Sequence, residues 1–292
     1  MAAAAFLQPG FAASSNLQEV LRQCSCTLAM SAGLLCIMLG GGFDFSIGCQ
    51  MSLTALVVCY CQTFSNSTAA GVLAALAVGI VCGAFNGTAV VVLKIPSYIA
   101  TLASQFIFRG IVESVMLHGK ENDPWSSVNV LNPLAGMAAA IALTLLVSVI
   151  LTRTYFGRYI RAMGEDEEAL QRIGVRTTQV KMACYIIGGF LFAAAAITAQ
   201  WHQSIEQVTS NYGIEIPAML VFYLSGISSR RARLAGYEIL PRLLAGSFVL
   251  VVLRNLLNLL GLEEVTASAL NGIMLLGAFA VYEYGRRKHP PC

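Results

Sequence analysis

The sequence predicts an all-α protein that crosses a membrane many times. Two observations carry this: charge is scarce, and apolar residues come in long runs. Of 292 residues only 18 are Lys or Arg and 15 are Asp or Glu, 11% together, against about 25% in soluble domains. Hydrophobic residues make up 57%, and the mean hydropathy is +0.71. So few charges cannot clothe a chain of 31.1 kDa in water. A soluble enzyme, a disordered chain and a nucleic-acid binder are excluded. The net charge of +3 attracts nothing in particular; where the charges sit matters more.

A backbone in lipid must satisfy its own hydrogen bonds, so each long apolar run is read as a helix. Nine spans follow, at 24–42, 47–63, 70–93, 96–117, 134–152, 182–201, 214–229, 243–260 and 266–284. Only Phe43-Asp44-Phe45-Ser46 separates the first two. Pro96 and Ser97 open the fourth, as a proline in a first turn should. The stretch 1–16 contains Pro9, has no basic start and is too short to span, so it reads as a tail at a membrane surface. Residues 1–292 form a single transmembrane domain.

Basic residues set the orientation. The loop 153–181 holds Arg153, Arg158, Arg161, Arg172, Arg176 and Lys181, and 230–242 holds Arg230, Arg231, Arg233 and Arg242. The tail holds Arg286, Arg287 and Lys288, whereas 202–213 and 261–265 hold only acids. This alternation puts 153–181, 230–242 and the C-terminus in the cytoplasm. Lys94 then marks a cytoplasmic turn, and nine spans leave the N-terminus outside.

Polar residues within the runs are few. Asp44 follows three glycines and must face protein, water or a half-helix end. It is read as a cap, with Ser46, for the helix from 47, or as a residue at a helix break beside a pathway. Thr101 and Gln105 make a polar stripe that faces a pore or another helix. Arg109 and Glu113, four apart, can pair; Arg254 has no partner that the sequence names. Eight cysteines lie in or beside apolar runs and read as packing thiols, with no zinc-like spacing among them. Ser46 and Ser97 have no histidine beside them in sequence to activate them, so no chemistry and no bound cofactor or metal is expected.

The loop 153–181 is too structured to be a connector. Gly164 breaks the chain, and Glu165, Asp166, Glu167 and Glu168 start a short helix through Ile173, acids suiting a helix start. Gly174 closes it, with Ala169 and Ile173 forming an apolar stripe that Leu170 widens. The reading is either a solvated amphipathic helix or a docking helix for a cytoplasmic partner.

Three motifs carry a family resemblance. Gly157-Arg158-Tyr159, Ala162-x-Gly164-x-x-Glu167-x-Ala169 and Gly174-Val175 resemble the cytoplasmic loop of permease subunits of ribose-type ABC importers. Gly41-Gly42-Phe43-Asp44-Phe45-Ser46-Ile47-Gly48 is similar to that family's GGIDLSVG. Asn86-Gly87, Ile95-Pro96-Ser97-Tyr98-Ile99-Ala100-Thr101-Leu102 and Arg109-Gly110 are similar to its NG…IPxFIxTLG…RG stretch. Together the motifs cover most of 17–200.

The resemblance implies a type II ABC-importer-like permease, of the binding-protein-dependent inner membrane component family, in a bacterial-type plasma membrane. Its partners would be ABC ATPase subunits, an extracytoplasmic solute-binding protein, a second permease subunit (this chain or a paralogue) and membrane lipid. The cargo would be a sugar or similar small polar solute. Arg158, Gly164, Glu165, Asp166, Glu167, Glu168, Arg172 and Gly174 would couple to the ATPase. Asp44, Ser46, Pro96, Ser97, Thr101 and Gln105 would flank the pathway. The chain has no G-x-x-x-x-G-K-[ST] motif, so ATP would be used by a partner.

Two features depart from the family. Its core has ten helices, and the first is replaced here by the short tail. Its GGTSLxGGxG stretch reads Leu224-Ser225-Gly226-Ile227-Ser228-Ser229-Arg230-Arg231-Ala232-Arg233. The alternatives are an ATP-independent secondary transporter or channel, and a non-transporting membrane scaffold.

Overall fold

The structure is a computed structural model, and it describes residues 9–65, 67–118, 130–164, 166–199, 213–227, 236–261, 269, 272–280 and 284. Among these there is no β-strand. A 3-10 turn at Pro9–Ala12 precedes α1 (Ser14–Leu39), α2 (Ile47–Ser65), α3 (Thr68–Val91), α4 (Ser97–His118) and α5 (Pro133–Arg153). Two short helices follow, α6 (Tyr155–Met163) and α7 (Glu167–Arg172), then α8 (Thr177–Ala199), α9 (Glu215–Ser225) and α10 (Gly236–Leu259). Residues 272–280 are also helical.

Six of these helices are long and apolar enough to cross a membrane: α1, α3, α4, α5, α8 and α10. Two shorter apolar helices, Ile47–Gln62 and Glu215–Ser225, join them. With 272–280, the expected nine apolar segments are all represented by helix among the described residues. The chain is an all-α polytopic membrane protein.

Helix α1 is the spine. In its most apolar stretch 89% of residues are buried, against 28% in α3 and in α4. It packs against α8, α5, α10 and α9, while α2, α3 and α4 form a group joined to it mainly through α8.

The boundaries correct several expectations. The first span begins at Ser14, ten residues before Cys24. Glu19 and Arg22 made that stretch look polar, but they pair with each other, and Arg22 also donates to the Ala199 carbonyl at 2.9 Å. The helix therefore runs on through them. The expected surface tail 1–16 is shorter for the same reason. It is also anchored: Phe11 is buried, and its carbonyl accepts the Asn16 amide at 2.9 Å. Helix α10 starts at Gly236 rather than 243, its first turns holding an Arg242–Glu238 pair at 3.0 Å and Pro241. Helix α9 stops at Ser225 because Gly226 turns left-handed, at φ 63°. Residues 228–233, with the arginine-rich departure, lie outside the described residues.

A close approach joins α3 to α8. A Cβ on Gly83 would fall 2.3 Å from the Tyr185 carbonyl, and one on Gly189 2.3 Å from the Gly79 carbonyl. Small residues four apart allow such contact between membrane helices. Gln50 of α2 fastens the crossing, its amide donating to the carbonyls of Gly79 and Gly189 at 3.1 Å each.

Candidate coupling and pathway site

The loop 153–181 folds into two helices set against the end of the bundle. Thr154 caps α6 by accepting the Gly157 N–H at 3.2 Å. Gly157, Ile160 and Met163 give that helix one buried face. Gly164 ends it, its N–H donating to the Ile160 carbonyl at 3.2 Å. Asp166 then caps α7 by accepting the Ala169 N–H at 2.9 Å. Gly174 closes α7 at φ 84°, and the Val175 N–H returns to the Leu170 carbonyl at 3.1 Å. Left-handed backbone at this position favours glycine.

Three contacts key α7 to the bundle. Leu170 is 7% exposed and belongs to the main core. Glu167 forms an ion pair with Lys181 of α8, and the Gln171 amide donates to the Thr177 hydroxyl at 3.0 Å. The expected apolar stripe is thus corrected: Leu170 is the anchor, while Ile173 is 74% exposed. A helix of six residues rotates only Leu170 toward the core. Glu168 and Arg172 pair at 3.5 Å on the exposed side, and exposed Arg158 stacks over Tyr155, its guanidinium carbon 4.1 Å from the ring centre. Glu165 lies outside the described residues.

A cavity of about 380 Å³ separates α7 from the membrane helices. Gly40 to Gly42 after α1, Lys94 to Ser97 before α4, and Glu167, Gln171, Lys181 and Tyr185 line it. Lys94 turns the chain between α3 and α4 in the left-handed region, at φ 56°. The cavity therefore brings Pro96 and Ser97 together with Glu167 of the loop.

Next to it lies a buried polar knot. Asp44 is 1% exposed, and its Oδ1 accepts the Ser46 N–H and the Ser46 hydroxyl, each at 2.7 Å. The Asn86 amide of α3 donates to Asp44 Oδ2 at 3.2 Å and to the Ser46 hydroxyl oxygen at 2.8 Å. The Phe45 N–H donates to the Thr101 hydroxyl oxygen at 3.1 Å, and that hydroxyl donates on to the Ser97 carbonyl at 2.8 Å. The Tyr185 hydroxyl donates to the Phe43 carbonyl at 3.1 Å. A carboxylate at membrane depth is costly unless it is hydrogen-bonded, and the knot supplies three donors. It also ties the Phe43–Ser46 turn to α3, α4 and α8.

Of the six residues expected along a pathway, Pro96 and Ser97 line the cavity. Asp44, Ser46 and Thr101 are enclosed by protein, so in this conformation their polar groups face the turn. Gln105 is half-buried and is not among the cavity residues. Sequence reasoning passed over Asn86, Tyr185 and Gln171 as site residues. For Asn86 the signal was present: an amide in an apolar run needs a partner. Tyr185 and Gln171 carry no such mark, because their partners come from distant segments.

Arg109 and Glu113 pair at 2.7 Å on the exposed side of α4. Of the eight described cysteines all but Cys61 are buried. No cluster able to hold a metal occurs among the described residues.

Comparison with known proteins places this arrangement. A family model described as branched-chain amino acid transport system / permease component matches residues 16–279. The ribose import permease protein RbsC of Escherichia coli is 29% identical over 94% of this chain and 88% of its own length. The autoinducer 2 import system permease protein LsrC of Enterobacter sp. is 29% identical over 94% of this chain and 81% of its own. The L-arabinose transport system permease protein AraH of Escherichia coli is 27% identical over 98% of this chain and 88% of its own. No solved structure matches. Apolar helices throughout the described residues, a polar loop folded against their ends and a family match over residues 16–279 agree: this protein belongs to the transport-system permease component family and is a transmembrane subunit of an importer.

Proposed function

We propose that the chain forms part of the translocation pathway of an ABC importer for a sugar or similar small polar solute. The energy comes from ATP hydrolysed by a separate subunit seated on α6 and α7. One observation carries this reading: α7 is keyed to α8 through Glu167–Lys181 and borders the cavity that reaches Pro96 and Ser97 at the start of α4. A push on α7 is then passed to a membrane helix. Ribose, L-arabinose and autoinducer 2, the cargoes in the relatives' names, favour a small polar solute over a branched-chain amino acid.

In this reading the loop 153–181 and the C-terminus face the cytoplasm of a bacterial-type inner membrane. Arg158, Glu168 and Arg172 offer the ATPase its polar contacts, with Glu165 and Asp166 beside them. Gly164 and Gly174 are the joints at the two ends of the coupling segment. Closure of the ATPase subunits rocks α7, and α4 and the Phe43–Ser46 turn follow. Asp44, Ser46 and Thr101 hold that turn, while Gln105 lies farther along α4. A solute-binding protein delivers cargo from outside, and a second permease subunit completes the pathway.

Gly164→Pro tests the coupling. Proline removes the N–H that bonds Ile160 and forces Met163 out of helical geometry. Purified with its partners in proteoliposomes, the variant should insert normally and hydrolyse ATP. Its ATP-driven solute uptake should fall about tenfold or more, the equivalent of at least ~1.4 kcal/mol of coupling. Uptake at the normal rate would end the docking role for this segment. Affinity purification of the tagged chain should also recover an ATPase subunit, and alteration of 165–173 should lose it.

A further inference from the structure

At the end of the bundle away from the loop 153–181, a second cavity opens between α1 and α10. Its volume is about 170 Å³, and Arg22, Gln23, Thr27, Arg254 and Asn258 furnish its polar lining. Hydrogen bonds between Asn16 and Asn255, at 2.8 and 3.0 Å, lock the two helices together there.

Among the described residues the charges at this cavity do not balance. Arg22 is buried and paired with Glu19. Arg254, by contrast, is partly buried and makes no hydrogen bond or ion pair with any described residue. Among the described residues one positive charge is left over, and within a membrane protein a guanidinium pairs with an anion or a carbonyl. Arg22 and Gln23 are engaged by Glu19 and the Ala199 carbonyl, so the Arg254 guanidinium and the Asn258 amide are the donors offered to whatever enters, with Arg22 adding its charge beside them. That set recognises an oxyanion, and guanidinium forks match phosphate geometry best.

Depth and surroundings say which oxyanion. Arg22 lies about 12 Å and Arg254 about 8 Å along the helix axis from the adjoining helix ends, at about 1.5 Å per residue. Helix α1 is about 39 Å long by the same rise, longer than the hydrocarbon core of about 30 Å. Both side chains therefore reach the level where headgroups meet acyl chains. Beside Arg254, Val249 and Leu253 stand exposed on α10 and Leu260 just past its end, an apolar track along which an acyl chain can lie. A volume of 170 Å³ is several times the ~30 Å³ that one water occupies in the liquid, room enough for a phosphate group.

We propose that the α1–α10 cavity holding Arg22 and Arg254 binds the phosphate of an anionic phospholipid whose chains lie along the Val249–Leu253 face. The lipid neutralises Arg254 and closes the seam between the spine helix and α10. This site does not depend on the transport reading.

The test uses the full-length chain, extracted in mild detergent with the subunits that accompany it, then stripped of lipid and titrated. The probes are phosphatidylglycerol, phosphatidylcholine and sodium phosphate. Thermal melting and native mass spectrometry are read in parallel; the second counts bound lipid directly and so still reports on a variant that folds poorly. Phosphatidylglycerol should stay bound and raise the melting temperature, and phosphatidylcholine should do so far less. Arg254→Gln should weaken phosphatidylglycerol binding about tenfold or more, as loss of one charge-assisted phosphate contact does. Arg254→Lys should keep part of it. An equal response to phosphatidylcholine, or an unchanged response in Arg254→Gln, overturns the proposal. A shift reproduced by sodium phosphate alone assigns the site to a free anion and overturns the lipid. Dependence of a solute-binding protein on Arg254, with no phosphatidylglycerol effect, makes the site a protein-docking point and overturns it as well.

Discussion

Glu167 of α7 and Lys181 of α8 form an ion pair at one wall of the cavity beneath the membrane helices. They are fourteen residues apart in the chain, and the pair joins the exposed loop to a helix that packs along the buried spine α1. Helix α7, of six residues, is too short to hold itself; it is fixed by what it touches.

Glu167→Gln should therefore loosen the loop without unfolding the protein. Both side chains are about a third or less exposed, so solvent screening keeps the pair's contribution near 1 kcal/mol or below. The expected result is an unchanged melt with ATP-driven uptake reduced severalfold in proteoliposomes. The exchange Glu167→Lys with Lys181→Glu should recover part of the uptake.

Leu170 and Ile173 should separate packing from docking. Leu170→Ala removes a buried anchor and should cost about 2–3 kcal/mol, seen as faster proteolysis of 153–181. Ile173→Ser alters a side chain that is 74% exposed and should leave stability within about 0.5 kcal/mol. If Ile173 is a partner-facing contact, the same variant should retain less ATPase on purification. Equal retention by both proteins would remove it from the interface.

Gly83→Ala places a methyl against the Tyr185 carbonyl, where the Cβ would sit at 2.3 Å. Two helix backbones must separate to admit it, at a cost of about 1–3 kcal/mol. The detergent-solubilised protein should melt several degrees lower. Gly110→Ala, where a Cβ meets nothing within 4 Å, is the control and should melt as the parent does.

Asn86→Leu should be as damaging as a core cavity although it fills the space. It removes the donor shared by Asp44 and Ser46, and hydrogen bonds to a charged group contribute about 1.5–3 kcal/mol. Thermal melting in detergent measures the loss. Adding Asp44→Asn should restore part of it, because the carboxylate that needed the donor is gone.

The spans were legible because lipid leaves the backbone no choice: a long run without charge must be helix. The first span starts ten residues before Cys24, because Glu19 and Arg22 pair within the helix, which apolar run length alone does not register. Gly164, Asp166 and Gly174 were legible as a break, a helix start and a close, because capping depends on residues within a few positions. Leu170 was not singled out over Ile173. Both are apolar on a short helix, and only the position of α8 decides which one is covered.

Asp44 illustrates the same division. Its neighbour Ser46 is two residues away, so the capped turn was visible in the chain. Asn86 stands forty-two residues on from Asp44, and Thr101, which holds the Phe45 N–H, lies fifty-six from Phe45. That these meet in one knot depends on how α2, α3 and α4 pack.

The sequence by itself determined that this is a multi-pass helical membrane protein with one large folded loop, because charge content, apolar run length and local capping are properties of neighbouring residues. Tertiary structure decided that Glu167 meets Lys181, that Asn86 satisfies Asp44, and that Arg254 lines a cavity with Arg22. Those outcomes turn on side chains brought together from different helices, and in a bundle where almost every helix is apolar, hydrophobic pattern does not say which helix lies beside which.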